Sequence, residues 1–245
     1  MTAMQKNAIV TGARGGIGRA VVNRLVADGV RVLAVDLDVA GLAGPGIESL
    51  AVDLASDDAP ERIVRAARVL GPIDILVNNA GVGGSKSLVL SDDALLDRII
   101  GVNLRAVLRL TREVIPQLRT PGGCIVNVAS VYGEVGFPGC TAYAVAKAGI
   151  SQLTRQLAAD LGPKGIRTNG VAPGVIRTPM TAHRLESDPQ YWRDMVQATP
   201  LGTIGTPEQV ASVIAFLCSD DAAYVLGQII AVDGGWLACR SHAGA

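Results

Sequence analysis

Residues Asn7–Gly18 read NAIVTGARGGIG, and three kinds of local structure succeed one another within this stretch. Asn7–Thr11 is short and centred on β-branched apolar residues, the composition of a strand. Thr11-Gly12-Ala13-Arg14-Gly15-Gly16-Ile17-Gly18 then crowds its glycines into a turn. From Ile17 the period changes: Ile17, Val21 and Leu25 recur at i, i+4 and i+8, one face of a helix. A strand, a glycine-rich turn and a helix N-terminus in this order make an anion site. The first helical turn leaves backbone N–H groups without partners and carries the positive end of the dipole. In such a turn Gly12 permits the tight bend, Gly16 lets a pyrophosphate approach the backbone, and Gly18 lets the helix pack close to the strand.

The same alternation continues outward along the chain. Arg31–Val35, Leu50–Val52, Ile73–Val77, Cys124–Val128, Ile166–Val171 and Gln228–Val232 read as further strands, most of them continuously apolar, as in a parallel sheet covered on both faces. Helical spacing lies between them: Ala146, Ile150, Leu153, Leu157 and Leu161 keep steps of three and four, and Thr206-Pro207 opens a helix through Cys218 with an N-cap and a first-turn proline. The reading is a single α/β domain over residues 1–245, a doubly wound parallel sheet flanked by helices. No Ser/Gly/Pro linker or internal repeat divides it. Asp38–Gly46 (DVAGLAGPG) is too short and glycine-rich for a helix and reads as a loop.

Composition narrows the function. Of 245 residues, 49% are hydrophobic and 18% charged, enough to bury a large core and too apolar for intrinsic disorder. The longest stretch without Asp, Glu, Lys or Arg, Thr120–Gly133, is fourteen residues broken by proline and glycine, so no membrane span is expected. With 22 basic and 22 acidic residues, no global field favours nucleic acid or an anionic membrane. The N-terminus enters a strand-like run at once, and the expected location is cytoplasmic. Cys124, Cys140, Cys218 and Cys239 form no C-x-x-C pair, and the histidines are His183 and His242, so neither a metal site nor a disulfide is expected. The nucleophile elbow G-x-S-x-G and the loop G-x-x-x-x-G-K-[ST] are both missing.

The second strand runs into Asp36, placed beyond the glycine turn to accept hydrogen bonds from ribose hydroxyls and to repel a 2′-phosphate. Leu37 adds no compensating charge, so the cofactor expected is NAD; Arg14, inside the turn, leaves NADP open. Asp53, with Leu54 after it, ends the third strand where a carboxylate can meet an adenine amine.

Tyr143-Ala-Val-Ala-Lys147 starts a predicted helix, and four-residue spacing sets the phenol and ammonium on one face. A free phenol titrates near 10, and a fixed cation nearby lowers it, so the pair has the parts of a general acid/base. Asn78-Asn79-Ala80-Gly81 follows the fourth strand, Asn103 lies in a mid-chain helix and Ser130 follows the fifth strand. Pro173-Gly174-Val175-Ile176-Arg177-Thr178-Pro179-Met180 follows the sixth. All these segments fall at the carboxyl ends of strands or in the next helix, the edge where open α/β sheets bind ligands.

Taken together these motifs resemble the short-chain dehydrogenase/reductase family over essentially the whole chain: T-G-x-x-x-G-x-G at Thr11–Gly18, N-N-A-G at Asn78–Gly81, Y-x-x-x-K at Tyr143–Lys147, and the terminal Gln228–Gly235 segment. The resemblance implies a seven-stranded Rossmann sheet, a tetrad of Asn103, Ser130, Tyr143 and Lys147, and a homotetramer with its last helices at subunit interfaces. It implies that Tyr143 exchanges a proton with the substrate oxygen, that Ser130 holds that oxygen, and that Lys147 tunes the phenol and binds the nicotinamide ribose. Asn103 would anchor a water through which the proton leaves. Ile176 and Thr178 would hold the carboxamide. The remaining cofactor contacts expected are Gly15, Ile17, Asn79, Ala80, Gly81, Pro173, Gly174 and Met180. The family usually has a helix where this chain has Asp38–Gly46.

Met180–Thr206 reads as a substrate lid, a long insertion at the ligand edge. Val82, Val131, Tyr132, Phe137 and Cys140 flank the tetrad, and His183 and Trp192 are lid residues able to face a substrate. The expected activity is interconversion of a secondary alcohol and a ketone. The alternatives are a 3-oxoacyl-[acyl-carrier-protein] reductase, disfavoured by Asp36 because those enzymes generally use NADPH, and a dinucleotide-binding sensor without catalysis, disfavoured by the intact tetrad. A methyltransferase with a similar glycine turn leaves Tyr143, Lys147 and Ser130 unexplained.

Overall fold

The computed structural model describes residues 5–238; Cys239 and His242 lie outside the described residues. In chain order the elements are β1 (Asn7–Thr11), α1 (Gly16–Ala27), β2 (Arg31–Asp36), β3 (Ile47–Ala51), α2 (Ala59–Ala67), β4 (Ile75–Asn78), α3 (Asp93–Ile100) and α4 (Ala106–Val114). They continue with β5 (Cys124–Val128), α5 (Thr141–Leu161), β6 (Arg167–Pro173), α6 (Pro179–Ser187), α7 (Pro189–Trp192), α8 (Pro207–Cys218) and β7 (Ile229–Val232). All strands are parallel in one seven-stranded sheet of order β3-β2-β1-β4-β5-β6-β7. The doubly wound α/β expectation is what the structure has.

Strand alternation divides the core into two layers. Ala8, Val10, Val32, Ala34, Val77 and Val126 point to the side covered by α1 and α8, where Val21, Leu25, Val210 and Ile214 complete a buried cluster. Ile9, Leu33, Leu76 and Ile125 point the other way, onto Ile63 of α2, Leu110 and Val114 of α4, and Leu157 and Leu161 of α5. Each such fully buried branched side chain contributes about 1.5–3 kcal/mol. The central strands are apolar throughout because both faces are covered; β1 and β5 are buried at every position.

The edges depart from that pattern. The third strand, read from sequence as Leu50–Val52, is Ile47–Ala51 and is half-exposed, since it pairs only with β2. Its alternating IESLA carries little apolar signal, and the more apolar Leu50–Val52 drew the reading toward the strand's end. Asp38–Gly46 forms no helix, and its glycines Gly41, Gly44 and Gly46 have positive φ. The chain leaves β1 toward β2 on one side and reaches β4 on the other. That reversal opens a crevice beyond the strand ends. No helix among the described residues is long and apolar enough to cross a membrane.

Candidate active site

The crevice holds a cleft of ≈ 470 Å³ lined from the glycine turn to Tyr143 and Lys147. Its floor depends on glycine at two positions. Gly12 takes φ 63°, and a Cβ there would lie 2.7 Å from Ala80 Cα; a Cβ on Gly18 would lie 1.9 Å from Gly12 O. The turn, the start of α1 and the Asn79–Ala80 backbone are therefore in direct contact. Asn79 fastens them, its Nδ2 donating to Thr11 O at 2.9 Å and Gly12 O at 3.0 Å, while Thr11 Oγ1 accepts the Asn79 and Ala80 N–H groups. The N-cap of α1, Gly15, offers no side-chain acceptor, and its first turn has no acidic residue. Those N–H groups face the cleft side of the turn as an anion cradle, which fits a dinucleotide pyrophosphate.

At the far rim Asp36 is held in place by backbone: Oδ2 accepts Arg14 N–H at 2.8 Å and Oδ1 accepts Leu37 N–H at 2.7 Å. The Arg14 guanidinium turns to Asp38, with Nη1 at 3.1 Å from Oδ2. Asp53 and Leu54 line the same end, with Asp53 Oδ1 accepting Ala55 N–H. Gly15, Gly16, Ile17, Leu37, Gly81, Pro173, Gly174, Ile176, Thr178 and Met180 also line the cleft.

At its inner end, Ser130, Tyr143 and Lys147 come together from the end of β5 and the first two turns of α5. Ser130 Oγ accepts the Tyr132 N–H at 3.2 Å, which leaves its own proton to donate elsewhere. Lys147, 4 % exposed, donates from Nζ to Val128 O at 2.8 Å and stands 5.7 Å from the Tyr143 ring centre. Burial pulls this lysine down to about 8, so at neutral pH it keeps its charge. The expected acidified phenol is corrected here. Burial pushes Tyr143 up to about 12, outweighing the hydrogen bond from Ser130 that pulls it down. In the protein alone, desolvation decides, and the phenol holds its proton firmly.

Asn103 is fully buried in a π-helical turn, Gly101–Arg105, between α3 and α4. The wider turn aims its amide at the rim: Oδ1 accepts Val82 N–H at 3.1 Å, and Nδ2 donates to Val82 O and Ile99 O. Such turns mark functional positions often enough to be noted. Asn103 thus braces Gly81 and Val82 and does not itself line the cleft.

The stretch expected to be a lid forms most of α6, then α7 and a π turn, Arg193–Gln197. Of the expected pocket residues only Val82 lines the cleft. Tyr132 packs edge-on to Tyr143, ring centres 6.4 Å apart, and stacks on Phe137, while Val131 lies in the apolar cluster beneath with Leu185, Tyr191, Met195 and Val196. Cys140 is buried, its thiol donating to Phe137 O. His183 and Trp192 are exposed, and neither reaches the cleft; His183 Nδ1 lies 2.9 Å from Ser187 Oγ on its own helix. On amphipathic α6 and α7 it is Leu185 and Tyr191 that turn inward, taking the sites that the more conspicuous side chains seemed to claim.

Some lining residues were not anticipated: Val52, Val102, Val128, Ala129, Pro179 and Thr181. Thr181 had a signal in Thr178-Pro179-Met180-Thr181, a helix start. Its Oγ1 accepts Thr178 N–H at 3.1 Å and donates to Ile176 O, fixing the segment over the cleft. Val52, Val128 and Ala129 are apolar residues at strand ends, Val102 lies in the π turn and Pro179 starts α6; none is distinguishable in sequence from structural positions.

Comparison with known proteins agrees with this geometry. A family model described as enoyl-(acyl carrier protein) reductase matches residues 12–237. The chain is 39% identical to the 3-oxoacyl-[acyl-carrier-protein] reductase FabG of Thermotoga maritima over 94% of this chain and 97% of that one. It is 38% identical to the 2-(R)-hydroxypropyl-CoM dehydrogenase of Xanthobacter autotrophicus, over 96% and 100%. Among solved structures, ligand-free aldohexose dehydrogenase of Thermoplasma acidophilum superposes with a TM-score of 0.88 at 32% identity, over 98% and 97% of the two chains.

Proposed function

The chain belongs to the short-chain dehydrogenase/reductase family and is an NAD(P)-dependent oxidoreductase of alcohols and ketones, and on that premise we propose that it uses NAD, with Tyr143, Ser130, Lys147 and Asn103 handling the proton. The observation that carries the proposal is one cleft that joins a glycine cradle to a buried phenol, hydroxyl and ammonium. Gly12–Gly18 would hold the pyrophosphate, Asp36 and Asp53 the adenosine end, and Lys147 with Ile176 and Thr178 the nicotinamide riboside. The dinucleotide supplies or accepts the hydride when bound.

The chain's own groups do the rest. In reduction, Tyr143 Oη gives its proton to the ketone oxygen. Ser130 Oγ, which accepts the Tyr132 N–H and keeps its own proton, donates to the same oxygen and stabilises the charge that develops there. Lys147 Nζ, steered by Val128 O, keeps further N–H donors free to offset the phenolate left behind. Asn103, buried behind the Gly81–Val82 rim and outside the cleft lining, would act only through a water held on the remaining lone pair of Oδ1, by which the proton is replaced. Oxidation reverses these transfers. A carboxylate at the ribose rim and the engagement of Arg14 by Asp38 support the choice of NAD.

We take Met180–Thr206 to be the substrate lid, the assembly to be a homotetramer and the compartment to be the cytoplasm. Light scattering on the purified chain tests the assembly. A second reading, reduction of a 3-oxoacyl thioester, has the Thermotoga maritima relative in its favour. One panel separates the readings: secondary alcohols, simple ketones, ethyl acetoacetate and acetoacetyl-CoA, each with NAD(H) and NADP(H), read by absorbance of the reduced nicotinamide. NADH-linked turnover of ketones supports the proposal; turnover confined to acetoacetyl-CoA with NADPH replaces it. Tyr143→Phe is expected to lose at least ~10³-fold in kcat while NADH affinity stays within about threefold. Retained activity refutes the assigned donor.

A further inference from the structure

Ser130 reaches the cleft from a tight turn, and that turn is fastened to α5 by contacts outside the tetrad. The turn is closed by Gly133 N–H to Ser130 O at 2.9 Å, Glu134 N–H to Val131 O at 3.1 Å and Val135 N–H to Val131 O at 3.2 Å. It lies directly on the helix backbone: a Cβ on Gly133 would stand 2.7 Å from Lys147 C and 2.8 Å from Ala148 N. One residue later, Glu134 Oε1 accepts the hydroxyl proton of Ser151, and Oε2 lies 3.7 Å from Arg155 Nη2. Ser151 is 2 % exposed. Tyr143, Lys147, Ser151 and Arg155 succeed one another at four-residue steps, so a single ridge of α5 presents the phenol, the ammonium and both partners of Glu134.

We propose that Glu134 is a positioning residue: by gripping Ser151 it holds the Ser130 turn against α5 and sets Ser130 relative to Tyr143. A buried hydroxyl donating to a carboxylate is a charge-assisted bond, stronger and more directional than the exposed pair with Arg155. The backbone contact at Gly133 stops the turn from moving inward, and the Glu134–Ser151 bond stops it from moving away. Released, the turn can shift Ser130 by a fraction of an ångström without unfolding anything. The proposal rests on the assignment of Ser130 and Tyr143 to the proton chemistry, and its test separates the two ideas.

Full-length wild type, Glu134→Ala, Glu134→Gln, Ser151→Ala and the double Ala variant are compared with NADH and ethyl acetoacetate, and by amide hydrogen exchange without substrate. Glu134→Ala is expected to lose about tenfold in kcat with the KM for NADH within about twofold, since a displacement of ~1 Å costs up to about 10² in rate. Amides of residues 131–135 should exchange faster. Glu134→Gln, whose amide oxygen still accepts from Ser151, should recover to within about threefold, and the double variant should fall no further than either single one. Wild-type kcat in Glu134→Ala, failure of glutamine to rescue, or unchanged exchange in the turn overturns the proposal. A wild-type chain without turnover on any ketone defeats the enzymatic assignment, and the exchange data then decide the clamp alone.

Discussion

Lys147→Met keeps the apolar stem of the side chain and removes its ammonium, together with the hydrogen bond to Val128 O at 2.8 Å. A lysine held at about 8 inside the fold, against an ordinary value near 10.4, disfavours the folded state by about 3 kcal/mol at neutral pH. Losing the bond to Val128 O takes back about 1 kcal/mol. The variant is therefore expected to be more stable than the wild type by about 2 kcal/mol at pH 7, and to be nearly inactive. The pH dependence gives the sign independently. The folded value lies below the unfolded one, so the penalty is fully present below about 8 and disappears as pH rises past about 10.4. Wild-type stability should climb relative to the variant across that window, until the variant is the weaker by the lost hydrogen bond. Urea unfolding of both proteins at a series of pH values from neutral to strongly alkaline measures it; groups common to the two, Tyr143 included, largely cancel in the difference. A methionine variant less stable than wild type at pH 7, or a difference that does not change with pH, refutes the reasoning.

Two further substitutions test the cofactor cleft. Gly18→Ala puts a methyl 1.9 Å from Gly12 O and 2.7 Å from Asn79 Nδ2. It should destabilise the chain by about 2–4 kcal/mol and weaken NADH binding at least ~10-fold by fluorescence titration. Gly101→Ala, with nothing within 4 Å of the new methyl, is the control and should leave both unchanged or gain up to about 1 kcal/mol. Asp36→Ser removes the carboxylate that accepts the Arg14 and Leu37 N–H groups, and should raise the NADPH-to-NADH ratio of kcat/KM at least ~10-fold at a cost of about 1–2 kcal/mol in stability. An unmoved ratio would detach Asp36 from cofactor choice.

The glycine turn, the alternating strands and helices, and the Tyr143–Lys147 pair were legible in the linear chain because each follows from local geometry. Only glycine tolerates φ 63° at Gly12 together with a backbone as near as Ala80, and residues four apart on a helix share a face wherever that helix lies. Segments at the ends of successive parallel strands meet at one edge for the same reason, so Asn79, Ser130 and Thr178 could be grouped before any coordinates. The strength of each group could not. The phenol is pushed up and Lys147 down because of what surrounds them, and desolvation sums over neighbours that only the folded chain brings together. The bracing role of Asn103 needed the π turn, the grip of Glu134 on Ser151 needed a turn folded back on α5, and the outward facing of His183 and Trp192 needed Leu185 and Tyr191 to take the inner side. Backbone conformation and residue spacing are properties of neighbours along the chain, whereas burial, and therefore acidity, is a property of neighbours in space.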